Sequence, residues 1–203
     1  MSTETRRYEL RARAERQRQT RDRIAAAAAE LHEQQGVGRT TVAEIARRAG
    51  VTRVTVYSHF ADLSELIPAC SAHYMAQHPM PDLQDALAVT DPHERLEIVL
   101  GRLYGWYRET EPMFGRLFAE RALIPELDAH MRQGIDRLQQ DLAEDLAAAF
   151  RRRGRAATAL RVLIRVALDF PTWRRLSGEG MPDDAAAALM AAAVAPRAPV
   201  SRR

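Results

Sequence analysis

The stretch TTVAEIARRAGVTRVTVYSHFADLSEL, residues 40–66, decides the fold of this chain. It predicts two short helices joined by a tight turn. Thr41 and Glu44 have the spacing of a capping box at the start of the first helix. Gly50 stands where a helix commonly ends in the left-handed region, and Thr52 is a suitable N-cap for the second helix. The stretch therefore predicts a helix-turn-helix.

Apolar and polar residues separate onto opposite faces of these two helices. In the first helix the apolar residues recur at helical spacing, at Val42, Ile45, Ala46 and Ala49. In the second helix Val56 and Phe60, at i and i+4, are expected to face the core. The opposite face of the second helix carries Arg53, Thr55, Tyr57, Ser58 and His59. A polar, basic and aromatic face at this place in the motif predicts entry into the major groove of DNA.

Residues 40–60 resemble the DNA-binding signature of the TetR family of bacterial transcriptional regulators. The T-x-x-x-I-A, A-G-V and T-x-Y-x-H-F elements stand together with the family's spacing. The resemblance is strong over the helix-turn-helix and weak over the rest of the chain. It implies an all-α protein, in which an N-terminal three-helix DNA-binding domain precedes a helical domain for effector binding and dimerisation.

The resemblance and the outward face together predict the DNA contacts. Arg53, in the first turn of its helix, is the candidate for reading a guanine edge. Thr55 and Ser58 are expected to serve bases or phosphates, whereas Tyr57 and His59 match family positions that hold the phosphate backbone. The complete predicted set is Thr41, Thr52, Arg53, Thr55, Tyr57, Ser58 and His59.

Two positions depart from the family pattern. Many members carry a phosphate-contacting lysine where this chain has Leu63. The amides at the start of that helix still offer a phosphate site. Ala43 stands where some relatives use a polar side chain that contacts bases. Base reading is therefore expected to depend almost wholly on the second helix of the motif.

Charge is distributed unevenly along the chain. Residues 1–60 hold 12 arginines against 7 acidic residues, and residues 61–203 hold 18 arginines against 20 acidic residues. The positive half is thus the half with the helix-turn-helix, as a polyanionic partner requires. Residues 1–19 form a basic extension, helical or partly disordered, whose function has two open interpretations. It either reaches DNA phosphates or a minor groove, or it is a solvated tail whose glutamates offset its charge.

Composition indicates the class and compartment. The 203 residues are 46% hydrophobic and 28% charged, which is typical of a soluble globular protein. The N-terminus lacks the apolar segment of a signal peptide, and the longest apolar run, residues 185–195, is far shorter than the ~20 residues of a membrane-spanning helix. A single cysteine, Cys70, fits a reducing cytoplasm. We therefore expect a cytoplasmic protein without a membrane partner.

Helical periodicity continues through the rest of the chain. A first helix is predicted from Thr20 to Gln35, where Gly36 ends it, and the helix after the motif is predicted from Asp62 to Gln77. Further helices are predicted over residues 91–109, 112–121, 125–153, 156–176 and 182–194. Pro112 is expected to begin one of them, Gly154 to end another and Pro171 to kink a third, and Leu138 and Leu163 are expected to face inward.

These helices predict four segments. They are a basic extension (1–19), a helix-turn-helix DNA-binding domain (20–66), a helical domain for effector binding and dimerisation (67–195) and a disordered tail (196–203).

A cluster of aromatic and methionine side chains predicts where an effector binds. A mostly apolar pocket with a few polar groups is typical of small-molecule sites, although plain core packing is the favoured interpretation of each aromatic residue taken alone. The resemblance places the effector site in this region. The predicted lining is Leu103, Tyr104, Tyr107, Met113, Phe114, Phe118, Arg121, His130, Met131 and Phe170. Cys70, His73 and His78 lack a fourth ligand at a recognisable spacing, so neither a metal nor another cofactor is expected.

The resemblance also implies a mechanism. The last two long helices of family members form a four-helix bundle with a second subunit, and ALDFPTWRRL, residues 167–176, resembles that segment. A homodimer places two recognition helices on a palindromic double-stranded operator. A small hydrophobic or amphipathic effector then favours a conformation that releases the DNA, so the protein is expected to be a repressor.

Two other classes of protein remain open at this stage. One is an enzyme on a helical fold, although no phosphate loop, zinc signature or activated nucleophile supports catalysis. The other is a dimeric adaptor that does not bind DNA. Mutation of Arg53, Tyr57 and His59 with operator binding as the readout would separate a regulator from an enzyme, and a lack of salt-sensitive DNA binding would indicate the adaptor.

Overall fold

The computed structural model describes residues 3–195, and the side chains of residues 7–195. The described residues contain helices and no strand, as predicted. The helices are α1 (Thr3–Gln35), α2 (Val42–Ala49), α3 (Arg53–His59), α4 (Leu63–Gln77), α5 (Gln84–Leu87), α6 (Pro92–Glu120), α7 (Pro125–Met131), a π-helical turn (Arg132–Asp136), α8 (Arg137–Ala149), α9 (Gly154–Leu168), α10 (Phe170–Gly178) and α11 (Asp183–Val194). The tail predicted to be disordered, 196–203, lies outside the described residues.

The helices form two compact units. The first unit combines the chain up to Pro79 with Gly115–His130, and the second combines Met80–Phe114 with the chain from Met131 onward. The last turns of α6 therefore belong to the same unit as the helix-turn-helix.

The core of the first unit lies where α1 packs against α2 and α4. Ile24 and Ala28 of α1 are fully buried. Ile45, Val56 and Ile67, from the helices that follow, are almost fully buried. The predicted end of α1 at Gln35 is confirmed, because Gly36 has φ +91°. The predicted start at Thr20 is wrong. The helix begins at Thr3, so the described part of the basic extension is a continuation of α1.

Side chains from the end of α6 hold the turn between α1 and α2. The Glu120 carboxylate accepts hydrogen bonds from the backbone N–H of Val37 at 2.7 Å and of Gly38 at 3.2 Å. One turn earlier in α6, Arg116 Nε donates to the carbonyl of Glu33 at 2.7 Å. These bonds satisfy backbone groups that the end of α1 leaves without an intrahelical partner.

A buried histidine lies between α1 and α4. His32 Nδ1 is 3.5 Å from Cys70 Sγ, and the thiol also donates to the carbonyl of Ile67. Burial lowers the pKa of His32 from 6.5 to about 4 and raises the pKa of the Cys70 thiol to about 12. Both groups are therefore neutral at pH 7, and the thiol is not a reactive thiolate.

The burial of His32 predicts that the protein loses stability as the pH falls below 6.5. Below pH 6.5 the unfolded chain protonates this imidazole while the folded chain does not until about pH 4. The free energy of unfolding should therefore fall by about 2–3 kcal/mol between pH 7.5 and 4.5. Urea titrations at the two pH values measure the change. His32→Gln should flatten this dependence. His73→Gln, at a half-exposed histidine, should not.

The core of the second unit is aromatic. Tyr104, Tyr107, Phe170 and Trp173 are each at most 1% exposed. The Tyr107 ring centroid is 5.4 Å from that of Phe170 and 5.8 Å from that of Trp173, and Phe114 lies 5.8 Å from Phe170. Offset and edge-on contacts of this kind add stabilisation beyond the area that the rings bury.

Pro112 does not begin a helix, contrary to the prediction. It lies inside α6, which runs unbroken to Glu120. A proline removes one helical hydrogen bond, and its ring crowds the preceding turn. Pro112 is on the exposed side of α6, while Tyr107 and Phe114 on either side of it are buried. Burial of the rings on both sides of the proline holds the helix together across it.

The helix predicted over residues 125–153 also differs. Its register shifts at the π-helical turn Arg132–Asp136, and the helix ends at Ala149. Gly154, with φ +55°, begins α9 and does not end α8. Because the π-turn adds a residue, Leu138 is 43% exposed, contrary to prediction, and Gln139 faces inward. The Gln139 amide donates to Tyr107 Oη at 2.9 Å and to the carbonyl of Leu168 at 3.0 Å.

Leu163 of α9 is not inward-facing either, since it is 44% exposed. Leu160, Ile164 and Ala167 form the buried face of α9, and Leu163 lies beside it. The prediction that Leu160, Ile164 and Ala167 face inward is confirmed, and the prediction for Leu163 is wrong.

The predicted kink near Pro171 is a break at Asp169 between α9 and α10. Pro171 has no N–H to donate to the carbonyl of Ala167, so the Tyr104 hydroxyl donates there instead, at 2.7 Å. The Tyr107 hydroxyl donates to the neighbouring carbonyl of Leu168 at 2.6 Å. The two tyrosines thus satisfy carbonyls that the break exposes inside the core.

Tyr104→Phe and Tyr107→Phe should therefore have unequal effects on stability. The first leaves the Ala167 carbonyl without its hydroxyl donor in the core, which costs about 1–3 kcal/mol. The second costs less, about 1 kcal/mol, because Gln139 still donates to the Leu168 carbonyl. Chemical denaturation of the two variants measures the difference. Equal reductions in stability would contradict the inference that the Ala167 carbonyl depends on the Tyr104 hydroxyl more than the Leu168 carbonyl depends on the Tyr107 hydroxyl.

Candidate nucleic-acid interface

The start and end of α2 have the predicted geometry. The Thr41 hydroxyl accepts from the Glu44 N–H, and the Glu44 carboxylate accepts from the Thr41 N–H at 2.9 Å. Hydrogen bonds from the Thr41 backbone N–H and hydroxyl lower the pKa of the Glu44 carboxyl below its ordinary value. Gly50 ends the helix with φ +67°. The predicted capping box and left-handed glycine are both confirmed, and they fix the angle at which the chain enters α3.

Helix α3 is anchored by two buried side chains. Val56 and Phe60 are each 2% exposed. The Thr52 side chain caps the helix by accepting from the Thr55 N–H at 3.1 Å, and the hydroxyls of these two threonines lie 2.8 Å apart. Because the anchors occupy the inner face of α3, the rest of the helix is turned outward.

The outward face of α3 carries the predicted DNA contacts. Arg53 and Ser58 are exposed, and Tyr57 is 58% exposed. Thr55 and His59 are half-exposed at the margin of the face. The Ser58 hydroxyl donates to the Thr55 carbonyl at 2.8 Å. Arg53 and Tyr57, one turn apart, are therefore the long side chains with reach beyond the helix surface.

The predicted threonines have structural partners of their own. The Thr41 hydroxyl lies 2.8 Å from the Glu44 carboxylate, and the Thr52 hydroxyl bonds within the N-cap of α3. These hydroxyls keep spare hydrogen-bonding capacity. Their first role in the described structure is to cap α2 and α3.

An arginine of α1 holds the carboxyl end of α3. The Arg21 guanidinium donates to the carbonyl of His59, and its Cζ lies 3.9 Å from the centroid of the Phe60 ring. The second contact is a cation–π interaction. Sequence reasoning missed this residue because the contact joins positions 38 apart and no local pattern marks it.

The amides at the start of α4 already have a protein partner. The Asp62 carboxylate accepts from the N–H of Ser64 at 2.8 Å and of Glu65 at 3.3 Å. Hydrogen bonds from Ser64 lower the pKa of Asp62. An incoming phosphate at this helix end would therefore compete with a carboxylate. Leu63, in the position where many relatives have lysine, is 37% exposed and adds no charge.

Val54 is an outward-facing residue that sequence reasoning missed. It follows Arg53 in the first turn of α3 and is 77% exposed. An apolar side chain at this place in a recognition helix is suited to contact a thymine methyl group. Its position directly after Arg53, in the first turn, could have indicated that Val54 faces outward. A valine within a helix most often belongs to the core, however.

The ten residues predicted to line an effector site are divided between the units. Seven lie in the second unit and are buried there: Leu103, Tyr104, Tyr107, Met113, Phe114, Met131 and Phe170. Phe118, Arg121 and His130 lie in the first unit. Arg121 Nη2 is 2.9 Å from Asp128 Oδ1, and burial lowers the pKa of His130.

The residues considered as metal ligands have other contacts. Cys70 contacts His32, His73 lies 2.8 Å from the Gln77 amide, and the His78 ring stacks on Tyr74. Across residues 3–195 we find no group of three or more His, Cys, Asp or Glu side chains that could hold a metal ion. Within the same range no helix has the length and apolarity to cross a bilayer.

Residues 24–70, from α1 into α4, match the family model of bacterial regulatory proteins of the tetR family. Residues 24–70 of this chain are therefore similar to the DNA-binding region of tetR-family regulators. Because the matched family is one of DNA-binding transcriptional regulators, the comparison does not favour an enzyme.

The helix-turn-helix region of this chain is also similar to that of curated regulators. It is 46% identical over 70 residues to the HTH-type transcriptional regulator SrpR of Pseudomonas putida, a match that covers 32% of each chain. The chain spans at most about half the length of the first curated relatives that it matches. The similarity is therefore concentrated in the unit that carries α3.

Solved structures resemble this chain over most of its length. NalD, the secondary repressor of the MexAB-OprM multidrug efflux pump in Pseudomonas aeruginosa, is 25% identical with a TM-score of 0.57, covering 89% of this chain and 95% of NalD. RolR, solved with the ligand resorcinol, is 20% identical with a TM-score of 0.54, covering 89% of this chain and 88% of RolR. The likeness to RolR shows the fold alone.

Proposed function

We propose that this protein is a DNA-binding transcriptional regulator that acts on a palindromic operator as a homodimer. The observation that carries the proposal is the geometry of α3. Val56 and Phe60 bury its inner face, while Arg53 and Tyr57 extend from its outer face. A short capped helix presented in this way fits the major groove. Such a regulator works where the bacterial chromosome is, in the cytoplasm.

The proposed roles of the α3 residues follow from their chemistry. Arg53 reads a guanine edge by bidentate hydrogen bonds. Tyr57 and His59 contact phosphates, which fixes the register of the helix. Thr55 and Ser58 supply short polar contacts, and Thr41 and Thr52 lie at the helix starts nearest the duplex.

The proposed domains follow the predicted boundaries. Residues 20–66 read DNA, and residues 67–195 bind an effector and dimerise. Exposed apolar side chains support dimerisation through the C-terminal helices. Val162 and Val166 of α9 are 55% and 47% exposed, and Leu189 of α11 is 48% exposed. Helices α9 and α11 pack against each other. A second copy of the chain would cover these apolar side chains and remove them from water.

The proposed effector is a small hydrophobic or amphipathic molecule. The aromatic core of the second unit, with Tyr107 and Phe170 at its centre, is the apolar environment that such a ligand prefers. RolR, a protein of the same fold, was solved with the phenolic ligand resorcinol. NalD is a repressor. By analogy, effector binding favours a conformation of lower operator affinity. The effector then weakens operator binding by the same coupling free energy by which the operator weakens effector binding.

Selection from a random duplex library tests this proposal. The full-length protein should enrich a sequence with two inverted half-sites centred roughly 10 base pairs apart or a multiple of it. Sedimentation of the complex should give two chains for each duplex. A protein that enriches no sequence, and whose weak binding is equal for all duplexes, would not be a sequence-specific regulator.

A further inference from the structure

Helix α1 extends well beyond the core that it supports. It begins at Thr3, but among its described side chains, from residue 7 onward, the first that is buried is Ile24. Every described side chain from residue 7 to residue 23 is exposed or half-exposed. Packing within the first unit therefore does not explain why these turns of helix are present. Their exposed surface is available for a partner.

Four arginines share one face of this segment. Arg7, Arg11, Arg18 and Arg21 follow one another at intervals of four, seven and three residues. At 3.6 residues per turn these intervals bring the four side chains within about 80° of arc, along roughly 21 Å of helix. We call this group the arginine ridge. Arg13, Arg16 and Arg23 lie on the opposite side of α1.

Arg21 fixes the direction in which the ridge faces. Its guanidinium donates to the carbonyl of His59 and lies over the ring of Phe60, at the carboxyl end of α3. The other three arginines of the ridge lie on the same side of α1 as Arg21. The ridge therefore begins at the DNA-reading helix and continues away from it along α1.

Acidic residues reduce the charge of the ridge only in part. Glu15 lies beside it and forms an ion pair with Arg18, and both side chains are well exposed, at 45% and 69%. Exposed ion pairs of this kind contribute little, so a phosphate can replace the glutamate. Asp22 lies at the same margin of the ridge as Glu15. Residues 7–21 hold six arginines against two glutamates, so the segment stays strongly positive.

We propose that the arginine ridge binds the phosphate backbone of the duplex beside the half-site that α3 reads. This inference rests on the proposed function. Phosphates of one strand follow one another by ~3.4 Å along the axis, so about six of them match the length of the ridge. Because the segment is already helical, binding orders no flexible arm. The ridge also supplies positive charge that the chain lacks at Leu63.

Matched triple variants test the ridge. Arg7, Arg11 and Arg18 are replaced by alanine in one variant, and Arg13, Arg16 and Arg23 in the other. Both variants carry three fewer charges on α1 and gain the best helix former, and circular dichroism and urea unfolding verify that both fold. Fluorescence anisotropy then measures affinity for the selected operator with long flanks, over a series of salt concentrations.

The slope of log K against log salt should differ between the variants. Removal of one phosphate contact reduces the magnitude of the slope by ~0.9, so the ridge variant should show a reduction of about 2–3 and the opposite-face variant less than about 1. Shortening the operator duplex to its half-sites should lower the affinity of the unmodified protein and leave the affinity of the ridge variant unchanged. Equal slope changes, or flank trimming that weakens both variants alike, would overturn the ridge. Failure of the unmodified protein to bind any operator would instead refute the proposed function.

Discussion

Replacing Arg53 with alanine is expected to reduce operator affinity by about tenfold to a hundredfold, and to abolish the preference for one base pair in each half-site. A bidentate arginine–guanine contact contributes ~1–3 kcal/mol of discrimination. Arg53 is exposed in the first turn of α3, and Thr52 caps that turn. The variant should therefore keep the fold. Binding to a panel of operators that differ at single base pairs measures both effects.

Tyr57→Ala is the informative comparison for Arg53→Ala. A phosphate contact carries no sequence information, so the removal of Tyr57 should weaken binding to every operator in the panel by a similar factor. Arg152→Ala removes an exposed arginine from the loop before α9 and should leave binding unchanged. If Arg53→Ala lowers affinity uniformly, as Tyr57→Ala should, then Arg53 holds the backbone and does not read a base.

The helix-turn-helix, α2 and α3, was predictable because its geometry is encoded locally. Thr41 and Glu44, three residues apart, fixed the start of α2, and Gly50 fixed its end. Val56 and Phe60, four residues apart, identified the inner face of α3. Each of these signals lies within about one helical turn, where side-chain direction follows directly from spacing.

The predictions that proved wrong concern features that distant packing decides. Pro112 sits inside α6 because the aromatic residues on both sides of it are buried in one core. The π-turn before α8 moved Leu138 to the surface and Gln139 inward, which no local periodicity reveals. Tertiary context overrides local preference at such places.

Contacts across long sequence separations were also beyond prediction. Glu120 binds the turn at Val37 from 83 positions away, and Arg21 binds the carbonyl of His59 from 38 positions away. A glutamate or an arginine on a helix surface is most often solvated. The sequence offers no sign that these two residues hold the helices of the first unit in place.

The Glu120 contact predicts a large effect of changing Gly36. A Cβ at Gly36 would overlap Glu120 Oε1 and lie only 2.8 Å from Glu120 Cδ, and Gly36 has φ +91°. Alanine there would cost about 1–2 kcal/mol for the left-handed backbone. It would also displace the Glu120 carboxylate from the backbone N–H groups of Val37 and Gly38. The loss of these hydrogen bonds costs about 1–3 kcal/mol more. Gly36→Ala should therefore lower the free energy of unfolding by about 2–5 kcal/mol, the sum of the two costs.

Gly50 provides the matched control, because it has φ +67° and no atom lies within 4 Å of the position that its Cβ would take. Gly50→Ala should show the backbone cost alone. Glu120→Ala should remove the two hydrogen bonds without strain. The double variant Gly36→Ala, Glu120→Ala should then be less destabilised than the sum of its parts, since the clash is already gone. Additive effects in urea unfolding would show that the carboxylate moves aside freely and does not hold the turn between α1 and α2.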